Sequence, residues 1–145
     1  NSETWDLWAK DGCEWTLPVT HEEYEKTNAE NFIVYLTPCI SVPREWFGDL
    51  KGKKVLGLAS GGGQQMPVFS KLGAECTVFD YSDKQLEAEK TVAQREEYNI
   101  TIIKGDMSKP LPFEDESFEK ISTTEIVKKL IKISPKALLK LGKFI

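Results

Sequence analysis

Ser60-Gly61-Gly62-Gly63, Asp80 and Gly105-Asp106 are the residues whose types and spacing suit chemistry. Consecutive glycines let the backbone take positive φ and approach a ligand closely. A carboxylate about 20 residues beyond such a turn accepts hydrogen bonds from ribose hydroxyls in the βαβ nucleotide-binding arrangement. The helix that follows the turn points its N-terminus at the ligand. Asp106 repeats the theme, an acid just past a further apolar run. Two acids beside one glycine turn call for a ligand with both a sugar and a base. Blander readings exist: glycine-rich βα turns occur in proteins that bind nothing there, and either acid can cap a helix or close a loop.

These residues need elements to position them. Lys54-Val55-Leu56-Gly57-Leu58 is a short apolar run suited to a buried parallel strand. Gln64 to Leu72 carries Met66, Val68, Phe69 and Leu72 at helical spacing, with Pro67 in the first turn and Gly73 at the C′ position. Cys76 to Phe79 reads as a second strand with Asp80 at its carboxyl end. Ser82 and Gln85 form a capping-box pattern that opens a charged helix running to about Glu97. That helix is expected to cover the sheet at one side with most of its surface in water. Ile100 to Ile103 is a third strand, 110–117 a loop, and Phe118 to Thr123 a fourth strand.

The 145 residues suffice for one domain with its own core. No run reaches transmembrane length and no signal-peptide pattern opens the sequence, so a cytoplasmic setting is expected. Cys13, Cys39 and Cys76 are widely spaced, fit no zinc pattern and suit a reducing compartment; no metal is expected. Cys76 reads as a small core residue. Against 23 Asp and Glu, 13 Lys and Arg give the first 125 residues a charge of −10, while six lysines give the last 20 +6. An acidic body argues against nucleic acid as the partner, and no membrane association is expected.

Residues 1–47 hold Trp5, Trp8, Trp15, Trp46 and His21. Thr4 to Lys10 is expected to be a helix capped by Ser2 or Thr4, and the Thr20–Glu23 capping box starts a second. Phe32 to Thr37 is β-prone and stopped by Pro38. Pro43 opens a short helix with Trp46 and Phe47 on its inner face. Short aromatic helices make a lid over a cofactor, or the aromatics fill a small core. His21 is a candidate general base in that lid; a solvated histidine at a helix start is the alternative.

VLGLASGGG, VFDYS and KGDMSKPLPFEDESFEKI together resemble the class I S-adenosylmethionine-dependent methyltransferases of the small-molecule type, over roughly residues 40–121. The resemblance implies an α/β, Rossmann-like sheet and S-adenosylmethionine or S-adenosylhomocysteine as cofactor. It divides the chain into an N-terminal lid and acceptor-binding segment (1–47), a cofactor-binding core (48–124) and a Lys-rich tail (125–145). Cofactor contacts then fall to Ala59, Ser60, Gly61, Gly63, Gln64 and Gln65 in the turn. Asp80, Tyr81, Ser82 and Gln85 follow the second strand, and Gly105, Asp106 and Met107 the third. By this resemblance Gly61 and Gly63 hold the methionine part, Asp80 the ribose hydroxyls and Asp106 the adenine amino group. Tyr81 and Met107 lie beside the ring.

Departures from the family pattern are visible. An acid usually stands at Gly57, and its loss removes a carboxylate near the cofactor's ammonium group. A glycine usually stands at Ala59. After Ile121 the sequence turns to Ser-Thr-Thr-Glu and then a lysine-rich amphipathic stretch, expected to be a helix to about Ser134-Pro135 and a second short one. The family sheet 3-2-1-4-5-7-6 would thus stop at order 3-2-1-4, leaving strand four as an edge open to pairing with another chain. On this reading the chain is truncated and forms a homodimer through strand four or the tail. Three functions follow: methyl transfer to a small-molecule acceptor, a truncated inactive relative persisting as a dimer, or an NAD-binding βαβ protein. The NAD fingerprint wants a glycine near Met66 and lacks it.

Overall fold

In the computed structural model of the protein, residues 2–11, 17–37, 40–122 and 143–144 are described. Cys13, Trp15, Pro38, Cys39 and the expected tail helices lie outside them. Helix α1 spans Ser2–Lys10 and α2 spans His21–Lys26. The Thr20 box forms as its pattern predicts: Thr20 Oγ1 accepts the Glu23 amide at 3.2 Å and the Thr20 amide donates to Glu23 Oε2 at 2.8 Å. β1 (Tyr35–Thr37) and β2 (Ile40–Ser41) form a small antiparallel pair. A single 3₁₀ turn, Arg44–Trp46, then leads to the main sheet. Here the expected inward Trp46 is corrected: its side chain is 60% exposed, and Phe47 alone turns in. One short 3₁₀ turn cannot aim two adjacent side chains at one core.

The main sheet is built from β3 (Lys54–Leu58), β4 (Glu75–Asp80), β5 (Ile100–Lys104), β6 (Lys120–Ser122) and β7 (Lys143–Phe144), in order β5-β4-β3-β6-β7. Each neighbouring pair is parallel. The expected order 3-2-1-4 is present as β5-β4-β3-β6. Beyond it, however, strand four is not an open edge, because Lys120 and Ile121 pair with Lys143 and Phe144.

Alternation along the strands assigns side chains to two cores. Val55, Cys76 and Val78 pack on one face with Val68 and Phe69 of α3 (Met66–Lys71) and Leu86 of α4 (Asp83–Arg95). Phe32, Val34, Phe47 and Leu50 complete that cluster, so aromatics of the N-terminal region fill core. Leu56, Leu58, Phe79 and Ile121 face the other way, under Met107, Leu111, Phe113 and Phe118 of the loop before β6. Phe113 bridges Phe79 and Phe118, with ring centroids at 5.7 and 5.2 Å. Strands buried on both faces explain the near-continuous apolar runs read from the sequence. No helix among the described residues is long and apolar enough to cross a membrane.

Candidate functional site at the carboxyl ends of the parallel strands

Parallel strands joined by helices leave a crevice beyond their carboxyl ends, the usual ligand position in open α/β sheets. β3 delivers Ala59 to Gly63 there, β4 delivers Asp80 to Ser82, and β5 delivers Gly105 to Met107. The Gly61 amide donates to Asp80 Oδ2 at 3.1 Å, and the Ser82 amide to Asp80 Oδ1 at 2.9 Å. A carboxylate accepts through about four lone-pair positions, so two amides fix its orientation. The Gly105 amide donates to the carbonyl of Asp80 at 2.9 Å, which places the two acids on adjacent strand ends. Asp106 is partly buried and accepts from the hydroxyl and amide of Ser108, at 2.7 and 2.8 Å. Those two bonds hold its carboxyl below the usual carboxylate range.

Close approach explains the glycines. A Cβ at Gly61 would lie 2.9 Å from Gln85 Cβ and 3.1 Å from Asp80 Oδ2. At Gly62, with φ +110°, it would lie 2.3 Å from Gln85 Oε1. The turn therefore presses its backbone onto the start of α4, and the Gly62 amide donates to the Gln85 carbonyl at 2.8 Å. Gly105 is demanded by packing instead: a Cβ there would sit 2.2 Å from the Phe79 ring.

The positions of the two departures, Gly57 and Ala59, are seen in the fold. A Cβ at Gly57 would be 2.9 Å from the thioether of Met66, so a side chain there requires the flexible end of Met66 to move. Ala59 sits at φ +48°, in the left-handed region that glycine prefers. Its amide donates to the Phe79 carbonyl at 2.9 Å, which anchors that conformation.

Other residues read from the sequence have structural partners as well. Ser60 Oγ lies within 3.1 Å of the Leu58 carbonyl and 3.2 Å of the Ser122 carbonyl. Ser122 Oγ donates to Gln65 Oε1 at 2.9 Å, a buried network tying the turn to β6. Gln64 Nε2 donates to the Leu17 carbonyl at 3.1 Å, so the N-terminal segment reaches the turn at that point. Tyr81 is 55% exposed beside Asp80. Only one half of the Ser82–Gln85 box is made: Ser82 Oγ accepts the Gln85 amide at 3.2 Å, while the Ser82 amide goes to Asp80. Gln85 Nε2 is the one buried side-chain nitrogen or oxygen without a partner among the described residues.

His21 is held at the end of α4. Its Nδ1 lies 2.8 Å from Glu96 Oε2, and Glu96 is the C-cap of α4, with Arg95 also on its carboxylate. That end of α4 is about 20 Å from Ser82 at 1.5 Å per residue, but His21 stands two residues beyond Val19, whose amide donates to the Gly63 carbonyl at 2.7 Å.

Glu89 was missed by sequence reasoning, which placed most of α4 in water. It is fully buried on the inner face of the helix. Its Oε2 accepts the Gly63 amide at 2.7 Å and its Oε1 accepts the Tyr98 hydroxyl at 3.3 Å. Burial pushes its carboxyl up to about 7 against the lowering effect of those two bonds, and Asp80 adds to the rise. The available signal was position: Gln85, Glu89 and Val92 fall on one helical face with Leu86 and Ala93.

A methyltransferase-domain family model matches residues 56–140, past Ile121, where the motif-by-motif resemblance ends. An uncharacterized methyltransferase of Bacillus subtilis, YbaJ, is 44% identical over 121 residues, 83% of this chain. The chain spans 48% of that relative's length. Among solved structures, a putative S-adenosyl-L-methionine-dependent methyltransferase of Methanococcus maripaludis aligns at a TM-score of 0.58. It is 15% identical, covering 98% of this chain and 57% of the other. YcgJ of Bacillus subtilis aligns at 0.56 and 22% identity, covering 69% of this chain and 45% of the other. Those two likenesses carry the fold, and the family match covers more than half of the chain. The chain belongs to the class I S-adenosylmethionine-dependent methyltransferases.

Proposed function

We propose that the chain binds S-adenosylmethionine across the tips of β3, β4 and β5 and serves methyl transfer to a small-molecule acceptor. The observation that carries this is the contact between the Gly61 amide and Asp80 Oδ2. It joins a side-chain-free turn to a carboxylate at the place where a nucleoside's sugar would lie. Asp80 takes the ribose hydroxyls, the backbone of Gly61 to Gly63 takes the amino-acid part, and Asp106 with the exposed Tyr81 frames the base. The buried Gln85 Nε2, without a partner beside this turn, offers one further donor.

When bound, the cofactor supplies an electrophilic methyl group on sulfur. The chain's own residues then have to orient it, hold the acceptor in line and exclude water, and positioning of this kind lowers the barrier most. A base is needed only for some acceptors, and His21, two residues beyond the Val19 that binds the Gly63 carbonyl, is the candidate for one. The absent acid at Gly57 leaves recognition of the ammonium group to backbone carbonyls of the turn.

Calorimetric titration with S-adenosylhomocysteine, with NAD as the comparison, tests the reading. Saturable binding of the first and none of the second is expected. Binding of NAD alone would replace it with the dinucleotide reading.

A further inference from the structure

We propose that Glu89 is a positioning residue of the cofactor turn: its buried carboxylate holds the Gly63 amide, and through it the turn, in the form that accepts the cofactor. The inference rests on the cofactor reading given above. Gly63 is gripped from two sides. Glu89 Oε2 takes its amide at 2.7 Å, and its carbonyl accepts the Val19 amide at 2.7 Å. It sits at φ +71°, where a Cβ would meet Val92 Cγ2 at 2.6 Å and Pro18 Cβ at 3.0 Å. Tyr98, which holds the other Glu89 oxygen, stacks on Tyr24 of α2 at 6.0 Å.

Among the described residues, the charged and titratable groups that act on Glu89 or are acted on by it are Asp80 and Cys76 of β4 and Tyr98 beyond α4. Burial pushes the Cys76 thiol up to about 12, and burial with the nearby Glu89 pushes the Tyr98 hydroxyl up as well. Both stay protonated through the neutral range, where Glu89 changes charge. An ionised Glu89 accepts a charge-assisted bond from Gly63, roughly twice as strong as the bond to a protonated acid. Cofactor binding and ionisation of Glu89 therefore favour one another, and the coupling is reciprocal.

Calorimetry with S-adenosylhomocysteine between about pH 6 and about pH 8.5 on wild type, Glu89→Gln and Tyr98→Phe tests this. Wild-type affinity is expected to rise about five-fold across the window. Glu89→Gln should be flat and no tighter than wild type at the acid end. Tyr98→Phe should keep the rise with its midpoint moved to higher pH, because the hydroxyl no longer supports the carboxylate. A Glu89→Gln protein with the wild-type slope and affinity, or a Tyr98→Phe midpoint that stays in place, overturns the role. Absence of binding by the wild type at every pH overturns the cofactor reading and this inference with it; a binding wild type matched by Glu89→Gln removes Glu89 alone.

Discussion

Asp80 Oδ2 accepts the amide of Gly61 at 3.1 Å, so the acid ending one strand braces the turn that ends its neighbour. Asp80 thus has two tasks: shaping the turn and, in the proposed function, receiving the ribose. Asp80→Ala should weaken S-adenosylhomocysteine binding by roughly 100-fold or more, the loss expected for two hydrogen bonds to a charged group. Calorimetry on the purified variant measures it. Unchanged affinity would remove Asp80 from the site.

Ala59 holds a backbone conformation, φ +48°, that costs an L-residue about 1–2 kcal/mol. Glycine removes that cost and adds a smaller entropic one in the unfolded chain. Ala59→Gly should therefore stabilise the protein by about 0.5–1 kcal/mol, seen as a higher urea midpoint at unchanged m-value. A lower midpoint would show that the alanine methyl makes contacts worth more than the strain.

Glu89 should give stability a distinctive pH dependence. Its folded pKa is raised, to about 7 from an ordinary 4.5, so the native state holds the proton more tightly than the unfolded chain. The sign follows: its contribution is full below about pH 4.5 and is lost as pH rises to about 7. The loss is on the order of 3 kcal/mol. Glu89→Gln should lack this component and so gain on wild type between acid and neutral pH in denaturant titrations. Parallel pH profiles for the two proteins would contradict the burial of an ionisable carboxyl. A group that costs stability when ionised is the kind that functional sites retain.

Gly105 lies where a side chain would collide with the Phe79 ring, at 2.2 Å for a Cβ. Phe79 is wedged against Phe113, so it has little room to retreat. Gly105→Ala should destabilise by about 1–3 kcal/mol, the usual cost of overpacking, and should disturb the loop carrying Asp106. Thermal unfolding beside the wild type reads the effect; equal stability would mean the ring moves freely.

The core of the fold was legible because its signals are local. The apolar run 54–58, the Ser60–Gly63 turn, the Gly73 helix stop and the β-prone 100–103 each specify backbone through their own composition, and they became β3, the turn, α3 and β5. The Thr20 capping box was legible for the same reason. What stayed hidden depends on distant partners. Glu89 looks like any charged helix residue until the glycine turn, 26 positions away in the chain, lays the Gly63 amide on it. The partner of His21, Glu96, lies 75 positions away and leaves no local mark. Trp46 and Phe47 are adjacent aromatics, and only the packing of Phe32 and Phe69 around Phe47 decides which turns inward. The pairing of β7 with β6 joins residues more than 20 positions apart.

The central claim is a place: the mouth formed by the glycine turn, Asp80 and Asp106. Amide chemical-shift mapping on addition of S-adenosylhomocysteine tests it most directly. The account predicts that the amides of Gly61 to Gly63, Tyr81, Ser82, Asp106 and Met107 move together and saturably. Shifts confined to the groove lined by Gln94, Tyr98, Ile100 and Ile102, with the glycine turn unmoved, would contradict it.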